Sequence, residues 1–277
     1  MPPKLAIIAG GGDLPGKLIN HLINTKQDFY VIGIMGHVKT DLLENVSHSL
    51  IRIGQAGLGI NILKREKITD IIMIGNVKLP SLLDLRPDLR TFIFFLRVII
   101  KSAFKFIGDD KILSNAALEL EREGFKIVGI DDVLTDIIAP AGILGSVSMN
   151  KKFAKDVRVG IGAALKLGRL DKGQAVIVKS GKVIMREDRG GTAQLISRVK
   201  MLSNSNNAIL IKLKKPGQDT RLDLPTIGIE TVKQAFEARL VGIVIQAGAT
   251  IIVDHNSMIK EANKSGLFIN SIELDEF

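Results

Sequence analysis

An α/β protein of two domains is predicted, the first built on a parallel sheet and the second α+β. Three observations predict it. Short apolar runs of strand length alternate with segments of helical spacing through the first 130 residues, the pattern stops between 136 and 150, and a hairpin-bearing segment follows. Leu5 to Ala9 is a continuous apolar strand, Asp13 to Asn24 places Leu14, Leu18, Leu22 and Ile23 on one helical stripe, and Phe29 to Ile34 is again β-branched and apolar. This is a βαβ unit. Asn61 to Lys67 fits a helix, Asp70 to Ile74 a buried strand, Asn115 to Glu123 a helix and Lys126 to Ile130 a strand. Strands without polar alternation are those of a parallel sheet covered on both faces.

The break, Asp136 to Asn150, carries Pro140 and small residues without period, so it is expected to be the join, giving domains 1–135 and 151–277 with a linker at 136–150. Beyond it, Lys155 to Leu167 and Thr192 to Leu202 are helical in spacing. Gln174 to Lys179 and Lys182 to Met185 form a hairpin about Ser180-Gly181. Strand Ala208 to Leu213, helix Thr231 to Arg239, strands Gly242 to Ile245 and Thr250 to Asp254, and helix Asn256 to Lys264 complete the expected elements. A length of 277 residues suits two domains at roughly 100–200 residues each.

Composition removes several classes of function. With no cysteine, the chain has no disulfide, no thiolate metal site and no Cys nucleophile, which suits a reducing compartment. The apolar start Leu5 to Ala9 is too short for a signal-peptide core, and Thr91 to Ile107, the most apolar window, is interrupted by Arg97, Lys101 and Lys105. The expected protein is therefore cytoplasmic or peripheral. A formal charge of +9 attracts polyanions, but one Tyr and no Trp leave little to stack on bases, so no nucleic acid is expected as partner. The four His show no metal spacing, and no Walker A or nucleophile-elbow motif is present.

Five segments carry candidate chemistry. Gly10-Gly11-Gly12-Asp13 joins the first strand to the first helix, where backbone N–H groups and the helix dipole favour a phosphate; a plain tight turn is the alternative. NAD would need an acid after the second strand, and Ile32-Gly33-Ile34-Met35 has none. Gly75-Asn76-Val77-Lys78 ends another strand on the same side of the expected sheet. Asp109 and Asp110 are adjacent carboxylates at a helix start, suited to N-capping or to Mg²⁺, an ion that seeks oxygen ligands. The segment 214–228 sets Lys214, Lys215, Asp219, Arg221 and Asp223 among prolines and glycines, the composition of a rigid functional loop or of a solvated turn. Thr91 to Ile107 holds five of the eleven Phe, and its cations recur at i, i+4, i+8. It reads as a core helix with a basic stripe or as a surface helix facing anionic lipid.

Six pieces in order resemble the UDP-2,3-diacylglucosamine pyrophosphatases of the LpxI type: LAIIAGGGDLP at 5–15, GNVKLP at 75–80, GDDKIL at 108–113, EREGFKIVGIDDVL at 121–134, LGRLDKGQAVIV at 167–178 and KPGQDTRLDLPTIG at 215–228. The resemblance implies an N-terminal Rossmann-like parallel sheet and a C-terminal α+β catalytic domain with a ligand cleft between them. It also implies Mg²⁺-dependent hydrolysis of UDP-2,3-diacylglucosamine to UMP and 2,3-diacylglucosamine 1-phosphate (lipid X), with water attacking the sugar-side phosphorus. On it, Asp223, Arg221 and Gln218 are expected to be catalytic. Gly10, Gly11, Gly12, Asp13, Asn76, Lys215, Thr226 and Thr192 are expected to bind substrate, and Asp223, Asp109 and Asp110 to hold the metal. Contact with the cytoplasmic face of the inner membrane and a homodimer are also expected. One departure stands out: the family pattern E-G-T-D-A-[ML] is replaced here by Gly190-Gly191-Thr192-Ala193-Gln194-Leu195, so two acids are missing. The alternative expectation is a nucleotide- or lipid-binding protein of the same fold whose catalysis is impaired, unless Glu187 or Asp188 takes their place.

Overall fold

The structure is a computed structural model describing residues 4–78, 87–93, 109–202 and 205–274, the side chains of 109–111 excepted. The chain forms two compact units. One comprises Met1–Thr135 with Asp219–Asp223, the other Asp136–Gln218 with Leu224–Phe277.

In the first unit the elements run β1 (Leu5–Ala9), α1 (Leu14–Asn24), β2 (Phe29–Ile34), β3 (His48–Ile51), α2 (Ala56–Arg65), β4 (Asp70–Ile74), α3 (Asp109–Arg122) and β5 (Lys126–Ile127). The sheet order is β3-β2-β1-β4-β5 with every pair parallel. Ile7 lies between Val31 and Ile72 in register, and all three are fully buried, which is why these strands read as unbroken apolar runs. Ala6, Ile32 and Ile71 share a core with Ile60 and Leu63 of α2 and Ala117 and Leu120 of α3. This order reverses direction between β1 and β4. In open parallel sheets that switch point, outside the carboxyl ends of the two strands, is where ligands collect.

The second unit carries β6 (Gly142–Leu144), α4 (Ala154–Arg169), β7 (Ala175–Lys179), β8 (Lys182–Arg186), α5 (Gly191–Lys200), β9 (Ile209–Lys212), β10 (Thr226–Gly228), α6 (Ile229–Glu237), β11 (Gly242–Gln246), β12 (Ile251–Val253), α7 (His255–Lys264) and β13 (Phe268–Ile272). Its main sheet has the order β6-β13-β11-β9-β7-β8. The β13, β11 and β9 strands are parallel, and β6, β7 and β8 run antiparallel to their neighbours. A separate parallel pair joins β10 and β12. The segment 136–150, read from the sequence as a join, thus contributes an edge strand to this unit.

The period-2 alternation of the central strands divides two cores. Ala175, Ile177, Leu210, Ile243 and Ile245 pack with Leu195, Val232 and Met258 of α5, α6 and α7. Val176, Val178, Ile209, Ile211 and Val244 pack with Val157, Ile161, Ala164 and Leu167 of α4. The α4 helix comes close to the sheet at Gly160, where an added Cβ would lie 2.1 Å from the Ile211 Cδ1. Gly160→Ala gains up to ~1 kcal/mol of helix propensity but overpacks a fully buried contact at ~1–3 kcal/mol. The net result is a lowered urea midpoint with unchanged m-value; an unchanged or raised midpoint would contradict this packing.

Candidate active site

Within the first unit, the loops after β1 and β4 meet at the switch point. The Gly11 N–H donates to the Asn76 carbonyl at 2.8 Å and the Asn76 N–H returns to Gly11 at 2.9 Å, while the Gly10 N–H donates to the Ile74 carbonyl at 2.8 Å. The glycines make this approach possible. A Cβ at Gly10 would sit 2.8 Å from the Asn76 carbonyl oxygen, and one at Gly75 (φ +97°) would sit 2.7 Å from that of Gly11. Two of the amides expected to cradle phosphate are therefore spent on joining the loops. Asp13 opens α1 without capping it; its carboxylate instead accepts a hydrogen bond from Lys39 Nζ at 2.8 Å.

Beside these loops lies a cavity of about 610 Å³, within the ~300–1,000 Å³ usual for small-molecule sites. Its wall is aliphatic: Ile8 and Met73 from the central strands, Ile32, Ile34 and Ile51 from the outer ones, Ile60 and Leu63 from α2, and Leu113, Ala116 and Leu120 from α3. Polar groups enter at Gly75, Asn76, Arg52, Arg90, Thr91, Glu119, Glu123 and Asp223, with Arg90 paired to Glu123 at 3.6 Å. Thr91 is buried, and its hydroxyl accepts from the Ala56 N–H at the start of α2 and donates to Asp88. Burial raises the Asp88 carboxyl pKa, but hydrogen bonds from Thr91, Leu58 and Gly57 outweigh it and hold that carboxyl below its usual range.

Asp223 arrives on the turn 219–223, which belongs to this unit although it is distant in sequence. The turn is closed by the Leu222 and Asp223 N–H groups donating to the Asp219 carbonyl, and Leu222 packs against the core. Arg221 secures it: Nε and Nη2 fork onto Asp219 at 3.0 and 2.7 Å, and Nη1 reaches Glu121 of α3 at 2.7 Å. Its hydrogen bonds to the Asp219 and then the Glu121 carboxylate hold the guanidinium charged, and Arg221 in turn lowers the Asp219 carboxyl pKa. The side chain expected to grip phosphate is thus directed to two carboxylates of its own unit.

The remaining candidates lie in the second unit. Lys215 pairs with Asp171 at 3.0 Å, Gln218 Oε1 accepts the Lys215 N–H, and the Thr226 carbonyl accepts from the buried Lys212 Nζ at 2.8 Å. Thr192, at the start of α5, donates its hydroxyl to Glu187 Oε1 at 2.6 Å. Glu187 is itself buried, its other oxygen accepting the Gln174 and Ala175 N–H groups, so it ties β8 to β7 rather than standing in for a missing acid. Asp188 accepts from the Gly190 N–H and Arg198. A Cβ at Gly190 would fall 1.5 Å from Gln194 Oε1, so the Gln194 side chain lies where a side chain at 190 would be rooted. Asp109 and Asp110 begin α3 as expected, but their side chains lie outside the described residues, as does most of the 91–107 stretch.

The family model described as the LpxI N-terminal domain matches residues 4–137, and that of the LpxI C-terminal domain matches 140–270. The chain belongs to the LpxI family. It is 34% identical over 280 residues, 99% of each chain, to a protein of Caulobacter vibrioides named UDP-2,3-diacylglucosamine pyrophosphatase LpxI. The two LpxI models divide the sequence once, near 138, whereas the geometry returns 219–223 to the N-terminal side. The LpxI resemblance read from the six motifs is borne out, as are the mixed α/β class, the parallel first sheet and the α+β second unit. The sequence did not reveal the cavity or its polar lining residues Arg52, Arg90 and Thr91. Its isoleucines carry the same pattern as packed core, and only the ionic groups beside them, Arg52, Arg90, Glu119, Glu123 and Asp223, set the cavity apart from it.

Proposed function

We propose that this chain hydrolyses the diphosphate of UDP-2,3-diacylglucosamine to UMP and lipid X, a step of lipid A synthesis. The observation that carries the reading is the aliphatic cavity of about 610 Å³ with the Asp223 carboxylate and two arginines in its lining. An acyl chain in such a cavity gains about 0.8 kcal/mol per buried methylene. Arg52, for which the described residues offer no ion pair, supplies positive charge where a diphosphate would lie.

In this mechanism Asp223 orients a water and accepts its proton as the oxygen attacks the sugar-side phosphorus; the bond to the bridging oxygen breaks and UMP leaves. Arg221 keeps the turn bearing Asp223 in place. The Gly11–Asn76 junction fixes the neighbouring backbone. Among the described residues no three acidic or histidine side chains cluster about a metal. Mg²⁺ nevertheless fits the donors present, since it is commonly held by one or two carboxylates and substrate phosphate oxygens. Asp223 would hold it, with Asp109 and Asp110 as further candidates, and the ion would supply charge neutralisation to the diphosphate.

The deciding experiment compares UMP release from UDP-2,3-diacylglucosamine and from UDP-glucosamine, each with Mg²⁺ and with EDTA. Release from the acylated substrate alone, abolished by EDTA, is the expected result. Equal cleavage of both would remove the cavity from the reading, and lipid X binding without UMP release would leave the binding protein suggested by the lost acids.

A further inference from the structure

The outer face of α4 and of the turn before it carries six cations and no exposed acid. Lys151 and Lys152 lie in the short 3₁₀ turn Lys151–Phe153, and Lys155, Arg158, Lys166 and Arg169 follow on the helix. The helical four, with Gly162 between them, are spaced by three, four, four and three residues, which sets them in one stripe about 20 Å long. All six are exposed. The single acid of α4, Asp156, is buried, its carboxylate accepting the Ser180 and Gly181 N–H groups at the β7–β8 turn. No carboxylate pairs with any of the six among the described residues. Lys152 instead lies 5.1 Å from the centre of the Phe153 ring. A Cβ on Gly162 would meet nothing within 4 Å, so the stripe is open along its length. An ordinary solvated helix mixes signs along such a face. Here six cations go unneutralised in a chain whose formal charge is +9.

We propose that this face docks the protein on an anionic lipid surface. The stripe offers no aromatic ring, amide or hydroxyl to read a base, and it ends on Leu170, which is 57% exposed. Long Lys and Arg stems beside an exposed leucine suit a headgroup layer, into which apolar stems descend while charges remain at the phosphates. The choice of lipid over other polyanions rests on the proposed diacylated substrate, whose chains reside in a bilayer. Each cation near an anionic membrane adds to an attraction that falls away within a Debye length.

The test is flotation of the full chain with vesicles of phosphatidylglycerol and phosphatidylcholine in equal parts, against phosphatidylcholine alone, at about 0.05 M and about 0.5 M NaCl. The wild type should float with anionic vesicles at low salt only. Replacing Lys152, Lys155, Arg158 and Lys166 by Glu should cut the bound fraction at least about tenfold. A control with Lys67, Lys126, Lys260 and Lys264 changed to Glu carries the same net charge and should keep most of the binding. Thermal melts and UMP release from detergent-dispersed substrate confirm that both variants are folded. The proposal is overturned if the wild type ignores anionic vesicles, if both variants lose binding equally, or if the α4 variant loses binding only to duplex DNA or tRNA. Flotation needs no substrate, so a protein that floats yet releases no UMP overturns the hydrolase reading alone, and one that hydrolyses without floating overturns this one alone.

Discussion

Asp223→Asn is expected to lower kcat/KM for UMP release by about 10²–10⁴-fold while moving the melting temperature little. A positioned carboxylate that takes a proton in the transition state contributes a factor of this size. Each tenfold loss corresponds to about 1.36 kcal/mol of barrier. The turn that carries Asp223 is made by other groups: the Asp219 carbonyl accepts its backbone N–H, Leu222 packs into the core, and Arg221 ties the turn to α3. The amide keeps the shape of the carboxylate and removes its charge, so the loss should fall on kcat. Retention of more than a tenth of wild-type activity would transfer the chemistry to another residue, and a collapse of the melt would make Asp223 structural.

Arg221→Met should produce the second-largest effect, on position rather than chemistry. It leaves Asp219 and Glu121 without the cation that now bridges them at 2.7–3.0 Å. Because the guanidinium is 41% exposed, solvent screens the pair, and the stability at stake is about 1 kcal/mol rather than the several of a buried network. The larger consequence is a loosened turn beneath Asp223 and a roughly tenfold fall in kcat, since small displacements at a reacting centre are costly. Arg221→Lys keeps the charge without the fork and should recover stability better than rate. The pH dependence has a definite sign. Asp219 titrates below its unfolded value, so its share of stability is fully present above the ordinary carboxylate range near ~3.9 and is lost as pH falls through the lower folded value. The gap between wild type and Arg221→Met should be constant from neutral pH to about 5 and close only below about 4. A gap that widens in acid would contradict the clamp.

Much of the fold was legible because buried strands and amphipathic helices differ in period. The limits of β1, β2 and β4 are read from the sequence without change, and the hairpin at Ser180-Gly181 is off by one residue at each end. The strands that escaped have causes. His48–Ile51 is an edge strand with mixed polarity, Gly142–Leu144 and Thr226–Gly228 are three residues long, the latter inside the segment read as a loop, and Phe268–Ile272 is interrupted by Asn270 and Ser271. The α2 helix begins five residues before its expected start because Gly57 and Gly59 conceal it; at Gly57 any side chain would strike Asp88. In the candidate site, residue types were legible but not their partners. Arg221 looks like a phosphate ligand until Glu121, a hundred residues earlier, is placed beside it.

The return of Asp219–Asp223 to the first unit also governs how this molecule can be taken apart. A fragment ending at Thr135 would lack the pentapeptide, leaving Glu121 without Arg221 and the cavity without its carboxylate. A fragment beginning at Asp136 would carry that pentapeptide with nothing to receive it. No single cut of the backbone yields both units whole, so the gene cannot be divided into two self-sufficient modules, and reassembly from halves would depend on five residues finding their place in trans.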